Sequence, residues 1–161
     1  MKNHTISILV TNEAGVLSRI VDLFSGRGFN IESLTVAPTT DRAFSRVTIV
    51  TPGDDAVIEQ ILKQLNRLIP VLKVMDLKLS EAIEVEIGLI KVYAKDEDRA
   101  YIMQSVDSTG AKIIDVTEKT YTIQIVGSEK EVKTLAELLK PIGIKEFVQS
   151  GKTAISRDTT F

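Results

Sequence analysis

The sequence has no cysteine, no tryptophan and a single histidine. Without cysteine, disulfides, thiolate metal sites and cysteine nucleophiles are all excluded. His4 stands alone at the N-terminal edge, so multi-histidine zinc sites and histidine-centred triads are excluded as well. No apolar run approaches the roughly 18 residues that cross a bilayer, which excludes a membrane-spanning chain. These absences remove several classes of enzyme.

The sequence also lacks a large excess of charge of either sign. It has 20 Lys and Arg and 22 Asp and Glu, which gives a net charge of −2. Proteins that bind nucleic acid use basic residues to neutralise phosphates and aromatic residues to stack on the bases. This chain has no excess of basic residues and only 3 Tyr and 5 Phe, which disfavours a nucleic-acid-binding protein. The N-terminus shows no signal-peptide pattern, so a cytoplasmic location is expected. A length of 161 residues suits one ordinary domain or two small ones.

Apolar periodicity in the first half of the chain alternates between strand and helix. Residues 4–11 alternate with a period of two, and from residue 16 the apolar side chains fall on one helical face. The order is βαββαβ. The predicted elements are strands at 4–11, 29–38, 44–51 and 70–79, a helix from 16 to the glycines at 26 and 28, and a helix over 57–68.

The second half repeats this order, so the fold class is α+β, with two ferredoxin-like βαββαβ units. Its predicted elements are strands at 85–94, 112–117, 120–127 and 144–156, the last interrupted at 151, and helices at 96–108 and 128–140. The predicted domains are 1–79 and 84–161.

Helices on one face of each sheet leave the other face open. In the first unit this open face includes the apolar residues Leu9, Val50 and Leu72. An 80-residue unit with an uncovered apolar face is marginal, so we expect a homodimer built through the first unit. The alternative is that the two units cover each other.

The turn between the first strand and the first helix is the candidate for chemistry. A helix N-terminus offers free backbone N–H groups that suit a carboxylate, and Gly15 lets a ligand approach the backbone. Asn12 can bridge to the ammonium or carboxylate of an amino acid. The alternative is ordinary helix capping, in which these residues bind nothing.

Other stretches offer less. Residues 95–98 replace this turn in the second unit with three acids and no glycine, which would repel a carboxylate. They fit a solvated helix N-terminus or, alternatively, a divalent cation, and we assign no metal site. Residues 26–28 lack the spacing of a phosphate-binding loop. We predict no catalytic residue.

Two stretches, 12–19 (NEAGVLSR) and 24–39 (FSGRGFNIESLTVAPT), carry a resemblance that covers most of the chain. With them, the chain resembles the small regulatory subunit of acetolactate (acetohydroxyacid) synthase. The resemblance is dense as far as residue 38 and patchy after residue 80. Further matching stretches are 44–48, 59–68, 71–74, 113–117, 121–122, 150–151 and 156–157.

The resemblance implies that the first unit is an ACT domain, which binds a branched-chain amino acid between two such domains. Valine is the expected effector, with isoleucine and leucine as relatives. On the matching positions, the carboxylate-binding turn is Asn12, Gly15, Val16 and Leu17, the neighbouring chain contributes Asn30 and Ile31, and the supporting residues are Thr35 and Ala37.

The resemblance further implies a non-catalytic subunit that activates a large catalytic subunit and confers feedback inhibition by valine in branched-chain amino acid biosynthesis. Thiamine diphosphate, FAD and magnesium then belong to the large subunit, and this chain carries no cofactor. Two alternatives stay open. One is a freestanding ACT-type amino-acid sensor with another target, and the other is a ferredoxin-like enzyme whose site is unrecognised.

Overall fold

The computed structural model describes residues 2–77 and 82–158. They form two compact units. The first contains the N-terminal residues to Glu84 together with residues 151–158, and the second is Val85–Ser150. The chain therefore enters the second unit once and returns from it to the first.

The first unit has the predicted βαββαβ order, and its strands form an antiparallel sheet in the order β2-β3-β1-β4. Ile6 of the first strand pairs with Ile49, and Ile8 pairs with Val47 and Val74. The elements are β1 (Lys2–Thr11), α1 (Val16–Ser25), β2 (Ser33–Pro38), β3 (Phe44–Gly53), α2 (Asp55–Leu65) and β4 (Val71–Leu77).

The second unit repeats the order, and its main sheet runs β6-β7-β5-β8. This confirms the prediction of two βαββαβ units, and the predicted break near residue 151 separates the last two strands. No helix within the described residues is long and apolar enough to cross a membrane. The elements are β5 (Ala82–Tyr93), α3 (Arg99–Thr109), β6 (Lys112–Val116), β7 (Thr120–Gly127), α4 (Glu129–Leu139), β8 (Ile144–Gln149) and β9 (Thr153–Ser156).

Each unit has its own apolar core between its sheet and its two helices. In the first unit, Ile6 and Ile8 of β1 are fully buried against Ile20 of α1 and Ile61 of α2. In the second unit, a corresponding cluster surrounds Ile90. The alternating period therefore marks the buried face of β1, and the helical period marks most of the buried face of each helix of the first unit.

The predicted strand at 29–38 starts too early, because β2 begins only at Ser33. Gly28, at a φ of +68°, turns the chain out of α1. The backbone N–H of Phe29 then donates to the carbonyl of Phe24 at 2.9 Å, and the two rings meet edge to face. Phe29 is thus apolar because it closes the helix end, which periodicity alone does not distinguish from a strand.

The outer face of the first sheet is partly covered, which corrects the prediction of an open face. Val50 is only 4% exposed and Leu9 is half-buried, and only Leu72 stays exposed. The chain covers this face itself, because β9 lies against β1 and β4. Ala154 of β9 packs with Leu77. The homodimer therefore stays a prediction that an open apolar face of this unit does not support.

Residues 151–156, which we call the C-terminal strap, are held in place by a shielded ion pair. Lys152 Nζ lies 3.2 Å from Glu84 Oε2, and the two side chains are 13% and 14% exposed. The predicted second domain extends over 84–161. Because the strap belongs to the first unit, the second compact unit instead ends at residue 150. Residue 79, the other predicted boundary, and residues 159–161 lie outside the described residues.

An Ala154→Asp variant is expected to lose about 3 kcal/mol of the free energy of unfolding, because it buries a carboxylate in an apolar cluster. Ala154 is 3% exposed, between Leu77 and Ala82. Urea unfolding followed by circular dichroism measures the change. Thr153→Asp places the same acid on the exposed side of the strand and should be nearly neutral. Equal losses in the two variants would contradict the packing of the strap.

Candidate functional site

The turn between β1 and α1 is built around Gly15. This residue is the N-cap of α1, with φ +83° and ψ −6°, a left-handed conformation that favours glycine. An added Cβ would meet no described atom within 4 Å. The space in front of the helix start is therefore open to a ligand, and the glycine is required by its backbone angle.

The N-terminus of α1 lacks the polar groups that normally neutralise a helix start. Among the described residues, no side chain caps it and no acid lies in its first turn. By contrast, Asp54 caps α2 by accepting from the N–H of Val57 at 2.9 Å. Ser128 and Glu131 form a capping box on α4, and the hydrogen bond from Ser128 lowers the pKa of Glu131. Within the described ranges, the start of α3 also lacks a side-chain cap and an acid in its first turn, but three acids, Asp96–Asp98, directly precede it.

Asn12 ties this turn to the hairpin between β2 and β3. Its side-chain Nδ2 donates to the carbonyl of Arg42 at 2.9 Å, and its backbone N–H donates to the carbonyl of Ala43 at 2.8 Å. One of the two amide N–H groups is used inside the chain, so the side-chain oxygen and the other N–H remain for a ligand. An oxygen acceptor suits an ammonium group rather than a carboxylate.

Val16 and Leu17 have different surroundings. Val16 is 6% exposed and packs in the core, and its backbone N–H donates to the carbonyl of Glu13 at 3.4 Å. Leu17 is 37% exposed and presents an apolar side chain beside the turn. The structure therefore brings the four predicted turn residues together as a helix start with an apolar neighbour.

Asn30 and Ile31 lie at the other end of the same sheet. The carbonyl of Asn30 accepts from Thr51 Oγ1 at 2.6 Å, whereas the β1–α1 turn follows the pairing of Thr11 with Phe44. Those two positions on β3 are seven residues apart, a span of about 23 Å. One chain therefore does not bring the two predicted halves of the site together.

The supporting residues lie on β2, an edge strand. Thr35 pairs with Thr48, and Ala37 pairs with Arg46. Ala37 is exposed. Thr35 is half-buried, and its Oγ1 is buried without a hydrogen-bond partner among the described residues. Gly151 of the strap lies next to Thr35 Oγ1, a contact that the sequence analysis did not predict.

The corresponding turn of the second unit has a different character. Asp96–Asp98 form a short 3-10 turn, and Asp96 is paired with Arg99 at 3.3 Å. In residues 2–77 and 82–158, no group of three His, Asp or Glu side chains is placed to hold a metal ion. Of the two interpretations of these acids, the geometry fits a solvated helix start.

Two family models match the chain, one for each half. A model described as an AHAS small subunit-like ACT domain matches residues 6–73. A model described as the small subunit of acetolactate synthase matches residues 85–158. Together they span nearly all of the described chain.

Individual proteins show the same similarity over nearly full length. The chain is 45% identical to the acetolactate synthase small subunit of Aquifex aeolicus, over 98% of this chain and 83% of that protein. It is 45% identical to a probable acetolactate synthase small subunit of Archaeoglobus fulgidus, over 96% of each. The crystal structure of the small subunit from Thermotoga maritima superposes with a TM-score of 0.91 and 37% identity, covering 99% of this chain and all of the other.

Proposed function

Because the chain belongs to the family of acetolactate synthase small subunits, we propose that it binds a branched-chain amino acid and so regulates a catalytic large subunit. In this proposal the chain activates the large subunit and confers feedback inhibition by valine. Isoleucine and leucine are the other candidate effectors. The chain itself performs no chemistry.

The observation that carries the effector half of the proposal is the uncapped start of α1 at Gly15. A carboxylate at this position accepts hydrogen bonds from free backbone N–H groups and lies at the positive end of the helix dipole. The ammonium group of the same ligand can donate to the side-chain oxygen of Asn12. A free amino acid carries both groups on one carbon atom, which matches this pairing of donor and acceptor.

The side chain of the ligand is selected by apolar neighbours. Leu17 lies next to the turn and is partly exposed, and Ile31 is a partly buried residue that the proposal takes from a second copy. Such surroundings favour an aliphatic side chain and disfavour a charged one, whose desolvation would be uncompensated. Valine, isoleucine and leucine are the amino acids of this chemistry.

A homodimer completes the site in this proposal. The two predicted halves lie about 23 Å apart along one sheet, so a shared site requires a second chain. β2 lies at an edge of the sheet, and Val36 on it is 43% exposed. An unpaired edge strand is a natural place for another chain to approach. Two copies related by a twofold axis would form two identical sites.

The large subunit supplies the chemistry in this proposal. Thiamine diphosphate, FAD and magnesium are placed there, and the complex is placed in the cytoplasm. If no thiamine-dependent large subunit co-purifies with the chain from its native cell, a freestanding amino-acid sensor with another target is favoured instead.

Calorimetry of the full chain is expected to show saturable binding of L-valine, and weaker binding of isoleucine and leucine. Aspartate and lysine should give no heat of binding, because their second charge would lie beside the apolar side chains of Leu17 and Ile31. L-norvaline, an isomer of valine with an unbranched side chain, tests how closely the site selects the branched shape. Binding of aspartate or lysine with no response to valine would overturn the effector assignment.

A further inference from the structure

Gly151 makes an unusually close approach to β2. A Cβ added to Gly151 would lie 2.3 Å from Thr35 Oγ1 and 3.0 Å from the carbonyl oxygen of Leu34. Contacts below 3.0 Å do not occur for real Cβ atoms, so any side chain here would displace either the strap or the strand. The strap can therefore pack against β2 only with glycine at position 151.

We propose that Gly151 is a positioning residue for the effector site, because it sets where β2 lies. This proposal rests on the proposed function. β2 carries the supporting residues Thr35 and Ala37, and the segment that leads into it carries Asn30 and Ile31. Four of the eight predicted site residues thus depend on the position of one edge strand. The C-terminal strap, through Gly151, fixes the position of β2.

The strand, rather than the strap, is the part that yields to an added side chain. Among the described strands, β2 pairs only with β3, so one ladder of hydrogen bonds holds it. The strap is anchored directly after the contact by shielded groups, Lys152 with Glu84 and the buried Ala154. Thr35 is β-branched and its Oγ1 is already buried, so rotation of its side chain gives little relief.

The test compares Gly151→Ala with the wild-type chain by calorimetry with L-valine. We expect the dissociation constant for valine to rise at least tenfold, which corresponds to about 1.4 kcal/mol. Thr153→Ala, a truncation of an exposed side chain in the same strap, is the matched control and should bind valine as the wild type does. Wild-type affinity in Gly151→Ala would overturn the proposal.

A second pair of variants separates positioning from general damage to the fold. Thr35→Ala removes the atom nearest to the added Cβ, so Gly151→Ala should weaken valine binding less in that background than in the wild type. The remaining contact with the Leu34 backbone still predicts several-fold weaker binding in the double variant than in Thr35→Ala alone. This comparison also decides the matter if Gly151→Ala alone fails to fold. Equal affinities of the double variant and Thr35→Ala would contradict the proposal.

The two proposals fail in different ways. If the wild-type chain does not bind valine, the proposed effector is wrong. If the wild type binds valine and the Gly151 variants bind equally well, the effector stands and the positioning role is wrong.

Discussion

A Gly15→Asp variant is expected to lose feedback inhibition by valine while it still activates the large subunit. The new carboxylate would occupy the positive end of α1, where the carboxylate of the ligand is proposed to lie. Acetolactate formation by the reconstituted enzyme, measured across a valine titration, gives both quantities. The wild-type chain should raise the activity and make it sensitive to valine. The variant should keep the first effect and lose the second, with valine affinity falling at least a hundredfold.

The backbone of Gly15 demands a careful control, because its φ of +83° strains any other residue. Asparagine is nearly the same size as aspartate and pays the same strain, and it carries no charge. Gly15→Asn therefore isolates the charge, and it should bind valine more tightly than Gly15→Asp. Gly110→Asp places the same acid at a left-handed glycine of the second unit, where an added Cβ also meets no described atom within 4 Å. It should lose stability without losing valine inhibition.

Three outcomes of this experiment carry different conclusions. Normal valine inhibition in Gly15→Asp would remove the β1–α1 turn as the effector site. Equal defects in Gly15→Asp and Gly15→Asn would assign the effect to the backbone rather than to the charge. Loss of activation together with inhibition would mean that the turn is structural or lies against the large subunit.

The order of elements could be predicted from the sequence because burial and periodicity coincide in this chain. Ile6 and Ile8 alternate in the sequence and are both fully buried. In α1 the agreement is partial, because Ile20 and Phe24 pack in the core whereas Leu17 and Val21 are exposed. The start of β2 could not be predicted in the same way. Phe29 is apolar because it packs edge to face with Phe24 at a helix end, and a strand would use the same residue type.

The packing of the C-terminal strap on the first sheet could not be predicted, because it depends on contacts between residues far apart in the sequence. Gly151 and Thr35 are more than a hundred residues apart, and no period links them. The sequence does mark a break at Gly151, and the structure confirms it between β8 and β9. Nothing in the local pattern indicates that β9 returns to the first unit.

The candidate site was predictable in its chemistry and less so in its geometry. A glycine before an amphipathic helix indicates an approachable helix start, and the structure has one at Gly15. The required left-handed angle and the use of the Asn12 amide by Arg42 depend on how the turn meets the β2–β3 hairpin. That meeting is a tertiary contact between segments 30 residues apart.

If the site is shared between two chains, two variants that each bind valine weakly should restore tight binding when they are combined in one dimer. Gly15→Asp disables the turn of its own chain, and Asn30→Ala disables the part that a chain lends to its partner. The side chain of Asn30 is exposed and bonds only to Glu32, at 3.3 Å, among the described residues, while its backbone carbonyl keeps the bond to Thr51. Asn30→Ala should therefore fold normally. Each homodimer should bind valine at least tenfold more weakly than the wild type.

A heterodimer of the two variants contains one site with both changes and one site with neither. Co-expression with two different tags and purification over both yields this heterodimer alone. Calorimetry should then show valine binding with wild-type affinity at about one site per dimer, half the wild-type number. A site built within one chain would leave both sites of the heterodimer damaged, and no tight binding would return. Sedimentation of the same sample verifies that it is a dimer, so a lack of recovery in a verified heterodimer would refute the shared site.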